Sequence, residues 1–486
     1  MISSHLARVG IALLSTITPS TAQLSSLISR GYSTKAILAP FPFPSDLCAI
    51  TGYPTDLPGK IYTAQLPDGE LTSMLNQVSP TNIEAIIKKL VSFGTRHTQS
   101  TQADAERGIG AARDWLLGEY EKYAKASNGY MTVELQSYIQ PAGGRLTAAT
   151  NISNIVATLR GSTDPERVVV VSGHYDSRNT DVMDFTSDAP GADDDASGVA
   201  ISMELARIMA THRPAATMMF VAVAGEEQNL YGSGYLAQRL KNGSTNVQGM
   251  WTNDIVGSPI GDDGKNNSRT IRLFTQGVPL TETAARASRR LSIGGESDSP
   301  ARQLGRFTRD VASNRITGMS VETIYRTDRY LRGGDHSSFL AAGYAAARFT
   351  EPREDFAHQH QDVRLEDGTQ FGDLPEFCDF YYISRVGKVT GAAMWSLANG
   401  PENPANVTID TSDLSNDTVL KWAKVKGARA YEVVWRPTDD PFWTHYVEVG
   451  DVGMARLAIS KDNVVFGVRS VAANGYRSPA VFPFPG

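Results

Sequence analysis

The hydrophobic positions of the chain follow a helical period in its first third. After Ser79, the residues Ile83, Ile87 and Leu90 fall on one face of a predicted helix, and Ser79 can cap its first turn. A second helix of the same period is predicted from about residue 103 to residue 124. Both segments have one apolar face, as expected of helices that pack against a core.

Strand-like and helical segments alternate in the middle of the chain. NIVATLRG and ERVVVVSGHYD predict strands, and the unbroken β-branched run of the second predicts burial on both faces. VAISMELARIMATHR predicts a helix, TMMFVAVAGEE another buried strand, and WTNDIVG, TIRLFTQ and AAARFTE further strands. This alternation predicts an α/β fold with a mostly parallel central sheet sandwiched by helices. Ligands of such a sheet bind beyond the carboxyl ends of its strands.

The composition changes near Ala398, where ANGPENPANV is typical of a linker. Short alternating segments follow it and predict a small all-β sandwich. LKW, YEVVWR and FGVRSVAANGYRSP resemble a fibronectin type III domain, with Trp422 as its core aromatic residue. We expect few contacts to cross the linker, and therefore a β-module that is dispensable for chemistry.

The first residues, MISSHLARVGIALLSTITPSTAQ, are typical of a secretory signal peptide. The sequence therefore divides into a signal peptide (1–22), a loop-rich strap or propeptide (23–78), an α/β domain (79–398) and the sandwich (399–486). No later segment has the ~18 consecutive apolar residues of a membrane span. Secretion would make five N-glycosylation sequons meaningful. They are at Asn151, Asn242, Asn266, Asn406 and Asn416.

Net charge and cysteine content limit the possible binding partners and disulfide bonds. The formal net charge is -6 without a basic run, which argues against nucleic acid as a partner. Cys48 and Cys378 are the two cysteines, so a disulfide framework is excluded. We expect these two to pair, because a secreted chain has reason to tie its N-terminal strap to the α/β domain. Two buried thiols are the alternative.

Polar residues follow the predicted buried strands. His174 ends one strand, and the Asp176 carboxylate two residues on can hold the other ring nitrogen. GADDDASG, residues 191–198, brings three carboxylates to the start of a helix, which is more than capping requires. Glu226 and Glu227 end the next strand, where one can bind a metal and the other can reach the metal-bound water.

Further candidate ligands occur later in the chain: Asp254 in WTNDIVG, and His358 and His360 in AHQHQDV. Two histidines and several carboxylates at successive strand ends predict a zinc or paired-zinc site with mixed nitrogen and oxygen ligands.

These motifs also carry a resemblance to a known family. HYDS, GADDDASG, GEEQNLYGS, ND and the H-x-x-Q-D of residues 358–362, in this order, resemble the co-catalytic zinc exopeptidases, which include bacterial leucyl aminopeptidases and glutamate carboxypeptidase. With the signal peptide and the fibronectin-like module, the chain is most similar to secreted fungal zinc metalloproteases of that family. The resemblance implies two zinc ions per chain and peptide or protein substrates.

The resemblance also implies a role for each matching residue. Asp194 would bridge the two ions, His174 and Asp254 would complete one, and Glu227 and His358 the other. Glu226 would be the general base, and Asp176 would orient His174. His358 is preferred because only it fits H-x-x-Q-D, and the nearby His360 stays open as the alternative. His336, in GGDHSSF, is not assigned as a ligand.

The sequence constrains less strongly which terminus of a peptide is cleaved. A free amine is met by carboxylates or a metal, and a free carboxylate by arginine or lysine. The acidic site favours an aminopeptidase, whereas Arg178, Arg332 and Arg348, which the sequence does not place, leave a carboxypeptidase open. A glutaminyl cyclase with one zinc lacks the DDDASG run. A non-catalytic binding protein would be expected to have lost Glu226 or a ligand.

Overall fold

The structure is a computed structural model that describes residues 58–486. The predicted signal peptide, Cys48 and most of the predicted strap lie outside these residues, so the pairing of Cys48 with Cys378 stays a prediction. In the described range, no helix combines the length and apolarity that crossing a membrane requires.

The helices are, in chain order, α1 (Gly69–Leu75), α2 (Pro80–Val91), α3 (Gly108–Ala126), α4 (Ala196–Met209), α5 (Glu226–Asn229), α6 (Tyr231–Asn242), α7 (Ala284–Ser292), α8 (Pro300–Ala312), α9 (His336–Ala342) and α10 (Phe380–Asn399). The strands are β1 (Lys60–Ile61), β2 (Met131–Gln140), β3 (Thr150–Leu159), β4 (Asp164–His174), β5 (Ala216–Val223), β6 (Asn246–Asn253), β7 (Thr270–Thr275), β8 (Ser320–Ile324), β9 (Ala346–Thr350), β10 (Arg364–Glu366), β11 (Thr369–Phe371), β12 (Ala405–Ile409), β13 (Thr418–Ala423), β14 (Ala430–Pro437), β15 (His445–Gly450), β16 (Met454–Leu457), β17 (Val464–Val471) and β18 (Phe484–Pro485).

An eight-stranded sheet in the order β2-β3-β5-β4-β6-β9-β7-β8 forms the centre of the α/β part. The adjacent strands β5, β4, β6 and β9 run parallel, whereas β2 and β3 at one end and the β9–β7 pair near the other are antiparallel. The predicted α/β sandwich with a parallel centre is thus confirmed.

The run of valines in β4 is buried on both faces of this sheet. Val169 and Val171 pack into the apolar core that contains α2, α3, α4 and α10. Val168 and Val170 pack into the second core, with residues of α6 and α9. Alternate side chains of a strand point to opposite faces, so helices must cover both sides of the sheet. This burial fixes β4 firmly and places its last residue, His174, at a rigid position.

The predicted helix after Ser79 forms as expected. Ser79 accepts a hydrogen bond from the Asn82 backbone amide at 3.3 Å, and Ile83 and Leu90 are fully buried. The α/β part begins earlier than the boundary at residue 79, because Leu71 and Leu75 of helix α1 belong to the same core. The strap predicted over residues 23–78 therefore contributes a core helix.

Two four-stranded sheets, β1-β15-β14-β17 and β16-β13-β12-β18, form the C-terminal β-module. Trp422 is buried in its core beside Tyr431, as the sequence predicts. Strand β1, from the N-terminal strap, completes one sheet by pairing with β15. The β-rich region is therefore present, and its fibronectin type III character stays a resemblance in sequence.

The expectation of few contacts across the linker is wrong. Arg167, in β4, donates to the carbonyl oxygens of Leu397, Ala398 and Gly400 at 2.8, 3.2 and 2.7 Å, which fixes the linker to the α/β part. Asp298 of the α/β part pairs with Arg436 of the β-module at 2.8 Å in a buried contact. Polar groups buried at such a contact need each other as partners, so the two parts form one packed unit.

Candidate metal centre

The candidate residues meet at the carboxyl ends of the parallel strands. His174 is the last residue of β4, Glu226 and Glu227 follow β5, and Asp254 follows β6. Because β5, β4 and β6 are adjacent and parallel, their ends lie at one edge of the sheet. The sheet topology thus gathers residues that are up to 80 positions apart, as the sequence predicts.

One group of possible ligands contains His174, Asp194 and Asp254. His174 Nε2 lies 3.0 Å from Asp194 Oδ1 and 3.9 Å from Asp254 Oδ1. Although burial lowers it, the nearby carboxylates of Asp176 and Asp194 raise the pKa of His174 well above its usual value. In the metal-free protein, a proton therefore occupies the face of His174 that a cation would take.

A second group contains Asp194, Glu227 and His360. His360 Nε2 lies 2.7 Å from Asp194 Oδ2 and 3.0 Å from Glu227 Oε1. Arg178 lies behind both ligands, with Nε 3.0 Å from Glu227 Oε2 and Nη2 2.6 Å from His360 Nδ1. The neighbouring carboxylates favour a protonated His360. The Arg178 guanidinium, however, can only donate a hydrogen bond, so His360 Nδ1 must accept it and cannot carry a proton. This contact therefore favours the neutral ring with its proton on Nε2.

The structure brings His360, and not the expected His358, into this ligand group. The His358 ring stacks on Phe377 at 3.5 Å between centroids, and its Nδ1 lies 3.3 Å from Asp355 Oδ2. His360 has a backbone φ of 51°, a left-handed conformation that occurs in turns. In such a turn the spacing of H-x-x-Q-D does not decide which of two nearby histidines faces the site.

The three aspartates of GADDDASG divide their tasks. Asp195 caps α4 through the Gly198 amide at 2.8 Å and accepts the His174 amide at 2.9 Å. Asp193 accepts the Gly257 amide at 2.5 Å, and burial raises the pKa of Asp193 to about 7. Asp194 alone turns both carboxylate oxygens toward the two histidines. Asp193 and Asp195 therefore have structural tasks in this turn, and Asp194 is the aspartate with a chemical one.

Asp373 supports this turn and was not singled out from the sequence. Its two carboxylate oxygens accept the backbone amides of Asp193 and Asp194 at 2.7 and 2.8 Å. The residue lies 179 positions after Asp194, in a segment without periodicity, so no local signal marks it.

Asp176 orients His174 through its backbone rather than through its carboxylate. His174 Nδ1 lies 3.1 Å from the Asp176 carbonyl oxygen and 3.6 Å from Oδ1. The carboxylate accepts the amides of Glu226 and Glu227 at 3.3 and 3.1 Å. Asp176 therefore positions the turn that carries the two glutamates, in addition to the histidine.

Glu226 lies at this turn and lines the adjoining cavity. Burial raises its pKa well above the usual value, and the nearby carboxylates of Asp254 and Glu227 act in the same direction. A carboxylate with a raised pKa beside a metal site has the protonation properties of a general base that later acts as an acid.

Zinc fits the two ligand groups. Within each group the ligand atoms lie within 4.8 Å of one another, and Asp194 belongs to both. Glu227 Oε1 is buried and accepts no well-directed hydrogen bond, so its lone pairs are free for a cation. Imidazole nitrogens and carboxylate oxygens are ligands that zinc takes. His336 belongs to neither group, and its Nε2 lies 2.9 Å from the Thr327 carbonyl oxygen.

A cavity of about 880 Å³ opens onto Asp194, Glu226, Glu227 and Asp254. Its remaining walls are rich in guanidinium groups, which come from Arg145, Arg178, Arg329, Arg332 and Arg348. Three of these are the arginines that the sequence left unplaced. The other two, Arg145 and Arg329, were missed because nothing in their local sequence distinguishes them.

Comparison with known proteins agrees with this arrangement. A model of peptidase family M28 matches residues 154–366, a range that contains both ligand groups. A probable zinc metalloprotease of Pyricularia oryzae is 55% identical over 482 residues, which cover 95% of this chain and 96% of that protein. A probable zinc metalloprotease of Leptosphaeria maculans is 60% identical, with 86% and 98% covered. Among solved structures, LapB from Legionella pneumophila is 18% identical with a TM-score of 0.49, over 70% of this chain and 78% of that chain.

Proposed function

The chain belongs to peptidase family M28 and is a zinc metallopeptidase, and from that premise we propose that it is a secreted aminopeptidase with two zinc ions and Glu226 as general base. The observation that carries the zinc count is the position of Asp194. Its two carboxylate oxygens face His174 and His360 separately, at 3.0 and 2.7 Å. A carboxylate with one oxygen in each of two ligand groups suits a bridge between two ions.

Each residue of the site then has a task. His174 and Asp254 would hold one ion, Glu227 and His360 would hold the other, and Asp194 would serve both. Bound zinc supplies Lewis acidity, which polarises the scissile carbonyl group and lowers the pKa of an attacking water.

Glu226 takes the proton of that water and later delivers it to the leaving amine. Asp176 keeps Glu226 and Glu227 in place through their backbone amides. The arrangement therefore supplies a metal site, a proton acceptor and a fixed geometry between them.

An aminopeptidase is the first candidate because the carboxylates and metal ions of the site suit a free amine. A carboxypeptidase is the second candidate, and the guanidinium groups along the cavity favour it. A single peptide sequence in four forms separates them: unmodified, N-acetylated, C-amidated, and blocked at both ends. An aminopeptidase cleaves the C-amidated form and not the N-acetylated form, and a carboxypeptidase does the opposite.

The same assay tests the wider proposal when zinc is quantified on the same sample. Two zinc ions per chain together with hydrolysis support a two-metal peptidase. One zinc per chain with cyclisation of N-terminal glutamine would instead indicate a glutaminyl cyclase. Bound zinc without turnover of any peptide would indicate a binding protein. Substitution of Asp194 by Asn should cost both ions, because a single carboxylate serves both groups.

Secretion and glycosylation belong to the same proposal. The side chains of Asn242, Asn266, Asn406 and Asn416 are exposed and Asn151 is partly buried, so glycans can be accommodated at most of the sequons. Mass analysis of the protein from culture medium, before and after removal of N-glycans, tests both properties. Retention in the cell with no change in mass would contradict them.

A further inference from the structure

A shallow groove lined by tyrosines adjoins the cavity of the metal centre. Its aromatic lining comes from β2 and α6, and we call it the tyrosine groove after its three rings, Tyr138, Tyr231 and Tyr235. Its volume of about 410 Å³ lies within the roughly 300–1,000 Å³ that ligand sites occupy. Asn229 and Leu230 line both the groove and the cavity, so the two are continuous. A ligand bound in the cavity can therefore extend into the groove.

The aromatic lining is held in place by contacts within the protein. The rings of Tyr138 and Tyr235 stack with their centroids 4.4 Å apart and an angle of 16° between their planes. The Tyr138 hydroxyl donates to the Tyr231 carbonyl oxygen at 3.1 Å, which joins β2 to the start of α6. All three tyrosines remain partly exposed. Rigid aromatic side chains lose little conformational freedom when an apolar group covers them, so this surface suits such a group.

The groove begins one helical turn from the proposed general base. The Leu230 amide donates to the Glu226 carbonyl oxygen at 3.0 Å, and one such turn spans ~6 Å. Tyr231 and Tyr235 lie one further turn apart in α6, which extends the groove by about another 6 Å. An extended peptide advances ~3.3 Å per residue. The second to fourth residues beyond the scissile bond therefore reach the groove.

An exopeptidase leaves most of its substrate outside the catalytic cavity. One residue is released in each cycle, so one side of the scissile bond carries a single residue and the other side carries the rest of the chain. The tyrosine groove leads away from Glu226, and its lining is mostly apolar, whereas the metal centre is charged. It therefore suits the part of the peptide that does not react.

We propose that the tyrosine groove binds this remainder of the peptide, so that the enzyme prefers peptides of about five residues, with large apolar side chains two to four positions from the scissile bond, over dipeptides. The inference rests on the proposed function, because the groove continues the cavity that contains Glu226 and Asp194. It holds for either direction of cleavage. An aminopeptidase places the C-terminal remainder in the groove, and a carboxypeptidase places the N-terminal remainder there.

The first test uses the full-length, zinc-loaded protein and peptides of two to six residues. All share the two residues that flank the scissile bond, and all are blocked at the terminus that the four-form assay shows to be dispensable. We expect kcat/KM to rise by roughly tenfold up to about five residues and then to level off, since covering one large apolar side chain contributes a factor of that order. The gain should appear in KM and not in kcat, because the groove contacts atoms that do not react.

A scan within the longest peptide locates the contact. Phenylalanine replaces alanine at one position at a time beyond the scissile bond. We expect the benefit at the second to fourth positions and none at the fifth, which lies past the end of the groove. A benefit confined to the first position would place the apolar contact inside the cavity and contradict the inference.

Gly234 allows the groove to be filled without a change at the metal centre. It lines the groove in α6, and a β-carbon added to it would meet Ser338 Oγ at 3.9 Å, an ordinary contact distance. Gly234→Leu should fold normally, because leucine favours a helix more than glycine does, and should reduce the length preference to less than about threefold. Tyr235→Ala removes one ring of the stack and should have the same effect.

Gly118→Leu is the matched control. Gly118 also lies in a helix, α3, and within the described residues a β-carbon there would meet no neighbouring element within 4 Å. It does not line the groove, so the length preference should remain. Zinc content and melting temperature of all three variants show whether each is folded and loaded.

Two results would overturn the inference and leave the proposed function intact. One is equal kcat/KM for peptides of two and five residues. The other is a full length preference in folded Gly234→Leu and Tyr235→Ala proteins, or a loss of activity in them that is equal at every length. Failure to cleave any peptide while two zinc ions are bound would instead contradict the proposed function. Calorimetric binding of the two- and five-residue peptides to these variants and to the unsubstituted protein would then decide the inference alone.

Discussion

Asp194 Oδ2 lies 2.7 Å from Nε2 of His360, a residue 166 positions later in the chain. The contact joins the turn before α4 to a loop that follows β9. It also gives Asp194 a histidine on each side, because its other oxygen faces His174. The second ligand group, Asp194, Glu227 and His360, depends on this pair.

His360 belongs to only one of the two groups, so its substitution should affect that group and leave the other in place. His360→Ala should lower the zinc content from about two ions per chain to about one and reduce turnover by more than roughly 100-fold, since a ligand is lost from a two-metal site. Zinc measured by mass spectrometry and kcat on one peptide check both effects. His358→Ala is the matched control, because His358 packs on Phe377 and should leave the zinc content unchanged. The reverse pattern would restore His358 as the ligand.

Glu226→Gln tests the proton acceptor apart from the metal. Glutamine keeps the shape of the side chain but cannot accept a proton, so turnover should fall by roughly 10²- to 10⁴-fold. Both zinc ions should remain, because Glu226 belongs to neither ligand group. Near-normal turnover in this variant would remove Glu226 from the mechanism.

Zinc affinity should rise with pH because of His174. Its Nδ1 lies 3.1 Å from the Asp176 carbonyl oxygen and its Nε2 3.0 Å from Asp194, and its pKa is raised, so the metal-free ring holds both protons at neutral pH. Zinc must displace the proton on Nε2. The affinity should therefore increase about tenfold per pH unit for each proton released, until the pH exceeds the raised pKa.

Calorimetric zinc titration between about pH 6 and pH 8 measures this dependence. Two buffers with different enthalpies of ionisation give the number of protons released. An affinity independent of pH, with equal heats in both buffers, would show that His174 is already unprotonated in the metal-free protein.

The docked β-module should contribute to stability. Arg436→Met leaves Asp298 with Arg306 as its remaining guanidinium partner, at 3.0 Å, and buries part of a charge without compensation. We expect the free energy of unfolding to fall by on the order of 2 kcal/mol. Arg456→Met, at an exposed position of the same module, is the control and should change it by less than about 0.5 kcal/mol. Denaturant unfolding of the full chain measures both.

Contacts between the β-module and the α/β part also change what we expect of a chain that lacks the β-module. Tyr476 of the β-module packs into the core of the α/β part, and Arg306 donates to the Pro441 carbonyl oxygen at 2.7 Å. Ending the chain near Ala398 would remove Tyr476 and Pro441, which exposes the core surface that Tyr476 covers and leaves Arg306 without this acceptor. We therefore expect a lower melting temperature and poorer solubility, followed by loss of activity. Unchanged thermal stability of the truncated chain would contradict this view of the interface.

The sequence alone determined the fold class and the strand ends at which candidate ligands lie. Buried β-branched strands that alternate with helices must form a parallel sheet centre, and the residues after such strands must meet at one edge. His174, the glutamate pair and Asp254 are marked as candidates by that rule, whereas the choice of Asp194 among three aspartates came from the family resemblance. The roles of Glu226 and Glu227 were likewise separated by the resemblance, because the local sequence shows only that the two are adjacent.

Only the tertiary structure decided the contacts between distant segments that lack periodicity. The loop after β9 places His360, and not His358, in the ligand group, because its backbone turns through a left-handed conformation that residue spacing does not encode. Asp298 and Arg436, 138 residues apart, became partners because neither can be buried without the other. Arg329 and Arg332, two arginines of the cavity wall, meet at Glu354 for the same reason, although each is unremarkable in its own segment. Local sequence patterns determine the helices and strands and where they end. Loop conformations, interfaces and charge networks depend instead on contacts with segments that are distant in the sequence.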